Sequence, residues 1–183
     1  MDKVTFFQQV LQLVGDRQYK EGTPGYEACN LWFPDVMLEA LKFGAWSFAT
    51  EARTLKRAEG EKGFRLPDEC LRLLKVGAER FRKLGRRVLP EDEELRELEV
   101  EYVSDDLARG EHLPGWEPRF VQGVRLLLAG RITARLEGDV GKAVQLERMA
   151  WESLEDALHD DVVQYASNDQ HPLEDIMNQS IVL

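Results

Sequence analysis

The chain has 183 residues and a mass of 21.0 kDa, enough for one hydrophobic core with at most a smaller satellite. Its formal net charge of −10 and pI near 4.9 argue against a general nucleic-acid coat, because Lys and Arg carry phosphate binding. The chain has only two cysteines, far apart in sequence, which argues against a disulfide framework. It has no apolar run of about 18–20 residues, which argues against a membrane span.

Two helices are predicted in the first part of the chain. Apolar residues recur at helical spacing from Val4 to Val14, and Gly15 follows where a C-cap residue would stand. This pattern predicts a helix over residues 2–14. A second apolar stripe predicts a helix over residues 26–43. Pro34 lies inside that stripe and cannot donate a backbone hydrogen bond, so we expect a kink or a restart there.

The hydrophobic period changes after residue 45, and the middle of the chain is predicted to form strands. Trp46, Phe48 and Leu55 predict a strand over residues 46–55 that begins directly after the helix. Residues 64–66 are expected to be extended because Pro67 follows them. Further strands are predicted over residues 71–76, 81–88 and 95–103. The last segment also allows a helix, but its β-branched and aromatic end favours a strand.

The last part of the chain is predicted to return to helix. Apolar stripes at helical spacing predict helices over residues 120–136 and 146–165, and residues 168–183 show no long period. The predicted fold class is α+β: a mainly α-helical bundle with an inserted small antiparallel β-sheet domain and an extended C-terminal tail. Residues 1–45 and 112–167 would form the bundle, 46–111 the β domain and 168–183 the tail.

Common catalytic motifs are missing from the sequence. It contains no glycine-rich phosphate loop, no His-Glu-x-x-His and no Gly-x-Ser-x-Gly. His159 stands beside Asp160 and Asp161, residues that could serve a metal ion or a general base. No second histidine lies at ligand spacing, so we interpret this cluster as a solvated helix face. The missing motifs argue against an enzyme without excluding one, and we predict no catalytic, cofactor-binding or metal site from these residues.

One short stretch carries a local excess of positive charge. It contains five cations: Arg80, Arg82, Lys83, Arg86 and Arg87. These side chains could contact DNA phosphates or an acidic partner. The interpretation that we favour is cross-strand pairing with the acidic residues 91–101 within one sheet.

The aromatic residues at the change of period are predicted to form a corner between helices and sheet. Trp46 and Phe48 bury large apolar areas, and no Lys or Arg alternates with them as single-stranded nucleic-acid binding would require. A helix that passes directly into a strand would hold the sheet at a fixed angle.

Two motifs in this order resemble a known family. The first is Ala-Trp-Ser-Phe-Ala at residues 45–49, and the second is Phe-Arg-Leu-Pro-Asp-Glu-Cys at residues 64–70. With the flanking helices and strands, the chain from residue 6 to 165 resembles the head–tail adaptor proteins of short-tailed phages, also called tail tubular protein A.

The resemblance implies a structural role without catalysis or cofactor. It implies a ring of identical subunits, twelve in that family, in the virion between the portal protein and the tail nozzle protein. DNA would pass through the ring without sequence-specific binding, and no membrane would be involved. The protein would be made in the host cytoplasm.

The end of the chain is predicted to bind the portal. Apolar residues return there after a polar stretch: Ile176, Met177, Ile181, Val182 and Leu183. In the resembled family the C-terminal arm reaches toward the portal, and the alternative is a segment that folds back on its own bundle.

Two other functions stay open. The chain could be another virion connector, such as a head-completion or stopper protein. It could also be a cytoplasmic regulatory module whose basic hairpin contacts nucleic acid, in which case salt should weaken its DNA binding.

Overall fold

The computed structural model describes residues 1–16, 20–58, 60–92, 94–110, 113, 117–136 and 138–168. These residues form an α+β fold. The helices are α1 (Lys3–Val14), α2 (Pro24–Phe43), α3 (Asp106–Arg109), α4 (Pro118–Leu136) and α5 (Val140–Asn168), with a short 3-10 helix at Ser47–Ala49. The strands are β1 (Thr50–Lys56), β2 (Phe64–Arg65), β3 (Cys70–Val76), β4 (Phe81–Leu84), β5 (Arg87–Pro90) and β6 (Glu97–Ser104).

The first two helices begin and end at residues suited to those positions. The Asp2 carboxylate accepts a hydrogen bond from the Thr5 backbone N–H at 2.8 Å, and Gly15 closes α1 with a φ of 94°. Thr23 caps α2, and Pro24 stands in the first turn, where its missing N–H costs nothing. The helix predicted over residues 2–14 is confirmed. α2 runs past Pro34 as one helix, so the expected restart is wrong.

Helix α4 packs against three other helices, most extensively against α5. Two glycines on α4 permit the close approach of α5. A Cβ atom on Gly123 would lie 2.6 Å from Leu154 Cγ, and one on Gly130 would lie 2.7 Å from Glu147 Cγ. Buried side chains of α1, α2, α4 and α5 share one hydrophobic core. The helices predicted over residues 120–136 and 146–165 are confirmed, although α5 begins at Val140, before the predicted residue 146.

The strands form two three-stranded sheets and not one, which corrects the predicted single sheet. Their orders are β1-β6-β3 and β2-β5-β4, and all pairs are antiparallel. Strand β6 pairs with β1 and β3, so the short strands β2, β4 and β5 are left to pair with one another. The second core joins both sheets through Leu55, Phe64, Leu66, Cys70, Val88, Leu98, Val100 and Tyr102.

Two strand boundaries differ from the sequence-based expectation. Residues 46–49 are not strand, because β1 begins only at Thr50, after the 3-10 helix. Residues 81–88 are not one strand but a hairpin, in which Leu84 pairs with Arg87 across the loop Gly85–Arg86. Gly85 has a φ of 58°, which glycine adopts without strain and which reverses the chain.

The remaining sequence-based predictions have different outcomes. Strand β6 confirms strand over helix for residues 95–103. The four-residue helix α3 stands in a segment with no predicted element. The predicted tail lies outside the described residues from 169 onward. No helix in the described part of the chain is both long and apolar enough to cross a membrane.

Candidate functional site

Trp46 lies between the end of α2 and the 3-10 helix that precedes β1. Its side chain is 0% exposed, and its indole N–H donates to the Ala40 carbonyl oxygen at 2.9 Å. Ala40 belongs to the last turn of α2, where carbonyl groups have no partner within the helix. The Trp46 indole therefore supplies a hydrogen-bond donor to the C-terminal end of α2, while the ring packs in the core.

Three aromatic rings pack together at this corner. The Phe120 ring of α4 lies 4.9 Å from both Trp46 and Phe48, edge-on to each, and the latter two rings lie 5.6 Å apart. Edge-to-face contacts of this kind stabilise a pair beyond the burial of their area. Phe48 itself is only half-buried. The corner thus joins α2, the 3-10 helix and α4.

A buried carboxylate fixes the same corner from α5. Asp161 is 4% exposed, and its Oδ2 accepts a hydrogen bond from the Ser47 backbone N–H at 2.7 Å. The Ser47 hydroxyl donates to Oδ1 of the same carboxylate. The carboxylate therefore caps the 3-10 helix. Beside it, Gly44 leaves room for Leu158, whose Cδ1 would lie 2.6 Å from a Cβ at that position.

The interpretation of residues 159–161 as a solvated helix face is wrong for Asp161. His159 is exposed, and the half-exposed Asp160 forms an ion pair with Arg119 at 2.9 Å. Asp161 instead turns inward, because α5 brings this position to the start of the 3-10 helix. Burial, with the charges of Asp161 and Asp160 adding to it, raises the pKa of the nearby Glu117 carboxyl. A folded pKa above the unfolded one means that ionisation of Glu117 as pH rises lowers stability.

We expect Asp161→Ala to lower the free energy of unfolding by about 1–3 kcal/mol, because two Ser47 donors lose their acceptor. Chemical denaturation measures this loss. The control is Asp160→Ala, which removes a neighbouring carboxylate from a largely exposed ion pair and should cost less than about 1 kcal/mol. Equal losses for the two variants would show that the cap does not hold the corner.

A second polar network fixes the strand β1 against the rest of its sheet. The Tyr102 hydroxyl of β6 lies 3.1 Å from Glu51 Oε2 and 3.4 Å from Glu69 Oε1. Arg53 forms an ion pair with Glu69 at 2.7 Å. Burial, followed by the hydrogen bond to Glu51, raises the pKa of Tyr102. The hydroxyl therefore keeps its proton and bridges the two carboxylates.

The residues of the second family-like motif lie in the sheet core. Phe64 stands in β2 and is fully buried, and Leu66 and Cys70 are buried on the way into β3. Burial raises the pKa of the Cys70 thiol, which leaves it protonated and unreactive. Phe64, Leu66 and Cys70 thus supply packing, whereas Arg65 and Asp68 of the same motif are exposed and form an ion pair at 3.3 Å.

Three of the five predicted basic residues form ion pairs, but mostly not with the predicted partners. Arg86 lies 3.9 Å from Asp68 and Arg87 lies 3.2 Å from Glu61. Among the described residues of the acidic segment, Glu91 alone pairs with one of these cations, Arg80, at 3.7 Å. Strand β6 carries the second part of that segment, residues 97–101, and belongs to the other sheet. Its Glu97 and Glu101 contact Lys56 and Lys75 instead. Pairing within one sheet is therefore wrong except for Arg80.

Partly open grooves lie on the surface of the described region. One of about 430 Å³ runs beside β5 and is lined by residues of both charges, among them Arg57, Arg82 and Glu91. No group of three or more His, Cys, Asp or Glu side chains in that region is placed to hold a metal ion. The described region thus consists of two buried hydrophobic cores with charged side chains exposed around them.

Comparison with known proteins adds no relative. A scan against models of known protein families gave no match, and a search of curated proteins gave no significant one.

Proposed function

We propose that the chain is a structural head–tail adaptor of a short-tailed phage. In this proposal its helices form the bundle, residues 46–111 form an inserted β domain, and the protein forms a ring between the portal and the tail nozzle. DNA passes through the ring, and the chain catalyses no reaction.

The observation that carries the proposal is the corner at Trp46. The Ala-Trp-Ser-Phe-Ala motif, on which the resemblance rests, coincides with a junction held by buried aromatic packing and by Asp161. A connector between two rings has to keep its domains at a fixed angle. A junction joined from both α2 and α5 supports that requirement.

The predicted portal-binding residues lie outside the described part of the chain. Ile176, Met177, Ile181, Val182 and Leu183 belong to this tail. Their apolar character at the end of a polar segment supports a docking role, because ordering such a segment needs apolar burial to offset its lost entropy.

We expect the isolated protein to sediment as a monomer or small oligomer at moderate salt. Its net charge of −10 makes like subunits repel one another until a template surface offsets the cost. Addition of the portal protein encoded in the same genome should shift it to the position of a portal-bound ring, with bovine serum albumin as the non-binding control. Analytical ultracentrifugation measures both states. A stable large ring without portal, or no shift with it, would contradict the proposal.

The nucleic-acid module is kept as the second candidate because of two cations on β4. Arg82 and Lys83 form no ion pair with any described residue and are exposed. Salt-dependent binding of duplex DNA by the isolated protein, lost in an Arg82→Glu, Lys83→Glu variant, would favour this candidate.

A further inference from the structure

Strand β4 offers an exposed surface, here named the basic edge and formed by Phe81, Arg82, Lys83 and Leu84. It is the edge strand of its sheet, and all four residues are exposed. Leu84 is 70% exposed and Phe81 is 41% exposed. An edge strand that combines large apolar side chains with unpaired charges is suited to bind another surface.

Helix α5 carries a surface of the opposite charge, here named the acidic flank and formed by Glu155, Asp156, His159 and Val162. Glu155, His159 and Val162 stand at positions i, i+4 and i+7, so they share one side of the helix. All four residues are exposed, and Val162 is 56% exposed. Within the described region neither Glu155 nor Asp156 forms an ion pair.

The two surfaces match in charge, in apolar content and in length. Each carries two charges without an ion pair to any described residue, positive on β4 and negative on α5, and each includes exposed apolar side chains. Phe81 and Leu84 are about 10 Å apart along an extended strand. Glu155 and Val162 are about 10 Å apart along a helix. The basic edge and the acidic flank therefore have about the same length, although Phe81 and Lys83 project to one side of β4 and Arg82 and Leu84 to the other.

We propose that the basic edge of one copy of this chain docks on the acidic flank of a second copy. Each copy carries both surfaces, so the contact is head-to-tail and leaves one free surface at each end of a pair. Such a contact closes into a ring when the rotation between copies permits it. Ring closure rests on the proposed function, whereas the pairwise contact does not.

A second copy fits the basic edge better than DNA does. Exposed Leu84 and Phe81 gain nothing from a phosphate backbone, whereas Val162 offers them an apolar counterpart. The net charge of −10 also opposes approach to a polyanion. Opposite charges across the contact would offset that same repulsion between copies.

Paired charge reversals test this contact. The first variant is Arg82→Glu, Lys83→Glu and the second is Glu155→Lys, Asp156→Lys. Each alone should weaken association between copies at least about tenfold, because like charges then face each other. An equimolar mixture should restore association to within about threefold of the original, since every contact between unlike variants is complementary.

The second variant separates the contact from general repulsion. It moves the net charge toward zero, so repulsion alone would strengthen association, whereas the proposed contact predicts weaker association. Each variant has a control with the same change of net charge at exposed positions elsewhere. The control for the first variant is Lys20→Glu, Arg135→Glu. The control for the second is Glu21→Lys, Glu99→Lys. Both controls should associate within about threefold of the original protein. Controls that act as strongly as the test variants would overturn the proposal.

The readout is zero-length carbodiimide cross-linking of a mixture of ¹⁵N-labelled and unlabelled chains over a range of concentrations. Mass spectrometry should find isotope-mixed peptides that join Lys83 to Glu155 or Asp156. Absence of these peptides at every concentration would overturn the contact. So would DNA binding lost in the first variant while cross-linking between copies stays unchanged.

The same variants distinguish failure of this contact from failure of the proposed function. If both variants still form a portal-bound ring as well as the original chain does, the contact is wrong and the adaptor function stands. If the original chain shows the Lys83 cross-link but never binds the portal, the contact stands and the adaptor function is wrong.

Discussion

Replacing Trp46 with alanine is expected to lower the free energy of unfolding by about 3–5 kcal/mol. The side chain is fully buried, so its removal leaves a cavity between α2, the 3-10 helix and α4. The Ala40 carbonyl also loses its indole donor. Both effects act on the junction and should therefore lower the stability of helices and sheets together.

Denaturant unfolding monitored by circular dichroism measures this loss, and two further variants separate its causes. Trp46→Phe keeps an aromatic ring but removes the donor, so it should cost clearly less than the alanine variant. Trp151→Ala removes a half-buried tryptophan that packs on Phe43 and is the matched control. A Trp46→Ala loss no greater than that of Trp151→Ala would show that the corner does not hold the fold.

Ending the chain after Ser167 is expected to abolish attachment to the portal while the melting temperature stays nearly unchanged. The removed segment carries the apolar residues Ile176, Ile181 and Leu183. In the proposed function these side chains bury their surface on the portal, so the folded subunit does not depend on them. Co-sedimentation with portal rings measures the attachment, and differential scanning calorimetry measures the melting temperature.

A full-length variant is the control for the truncation. Ile181→Ser, Leu183→Ser keeps the length of the tail but removes much of its apolar end, so it should weaken portal binding without changing the melting temperature. If the truncated chain instead unfolds or melts many degrees lower, the tail packs on its own subunit and the docking hypothesis fails.

The helices were predictable because their signals are local. The apolar stripes of α1 and α5 have the helical period, α4 is long and buried on most of its sides, and Gly15 stands at the end of α1. The restart expected at Pro34 does not occur, because Phe33, Val36 and Met37 are buried on both sides of the proline and hold α2 against its neighbours. Tertiary packing there outweighs the lost hydrogen bond.

The sheets were less predictable because strand pairing is not local. The positions of β2, β3 and β6 were predicted closely, but nothing in the sequence specifies that β6 pairs with β1 and β3. The hairpin at Gly85 had a usable signal, since glycine between two strand-like segments permits a reversed turn. The strand predicted from Trp46 failed because Ser47 and Phe48 enter a 3-10 helix that Asp161 caps from far along the chain.

In the candidate site, too, local features were predictable and contacts between distant residues were not. The burial of Trp46 followed from its size and its place between two hydrophobic periods. The role of Asp161 did not, because a carboxylate in an acidic helical segment has the pattern of a solvated face, and only the contact with Ser47 distinguishes it. Arg82 and Lys83 form no ion pair with any described residue because β6, with its acidic side chains, belongs to the other sheet. The sequence does not show this sheet assignment.

The adaptor function is tested most directly by cryo-electron microscopy of the protein mixed with the portal protein of the same genome. We predict a closed ring of identical subunits, coaxial with the portal and open along its axis, with the C-terminal segments on the portal side. A particle in which the chain closes the channel would identify a stopper and contradict the adaptor. Portal rings without any added density, under conditions where the chain is folded, would contradict a connector role altogether.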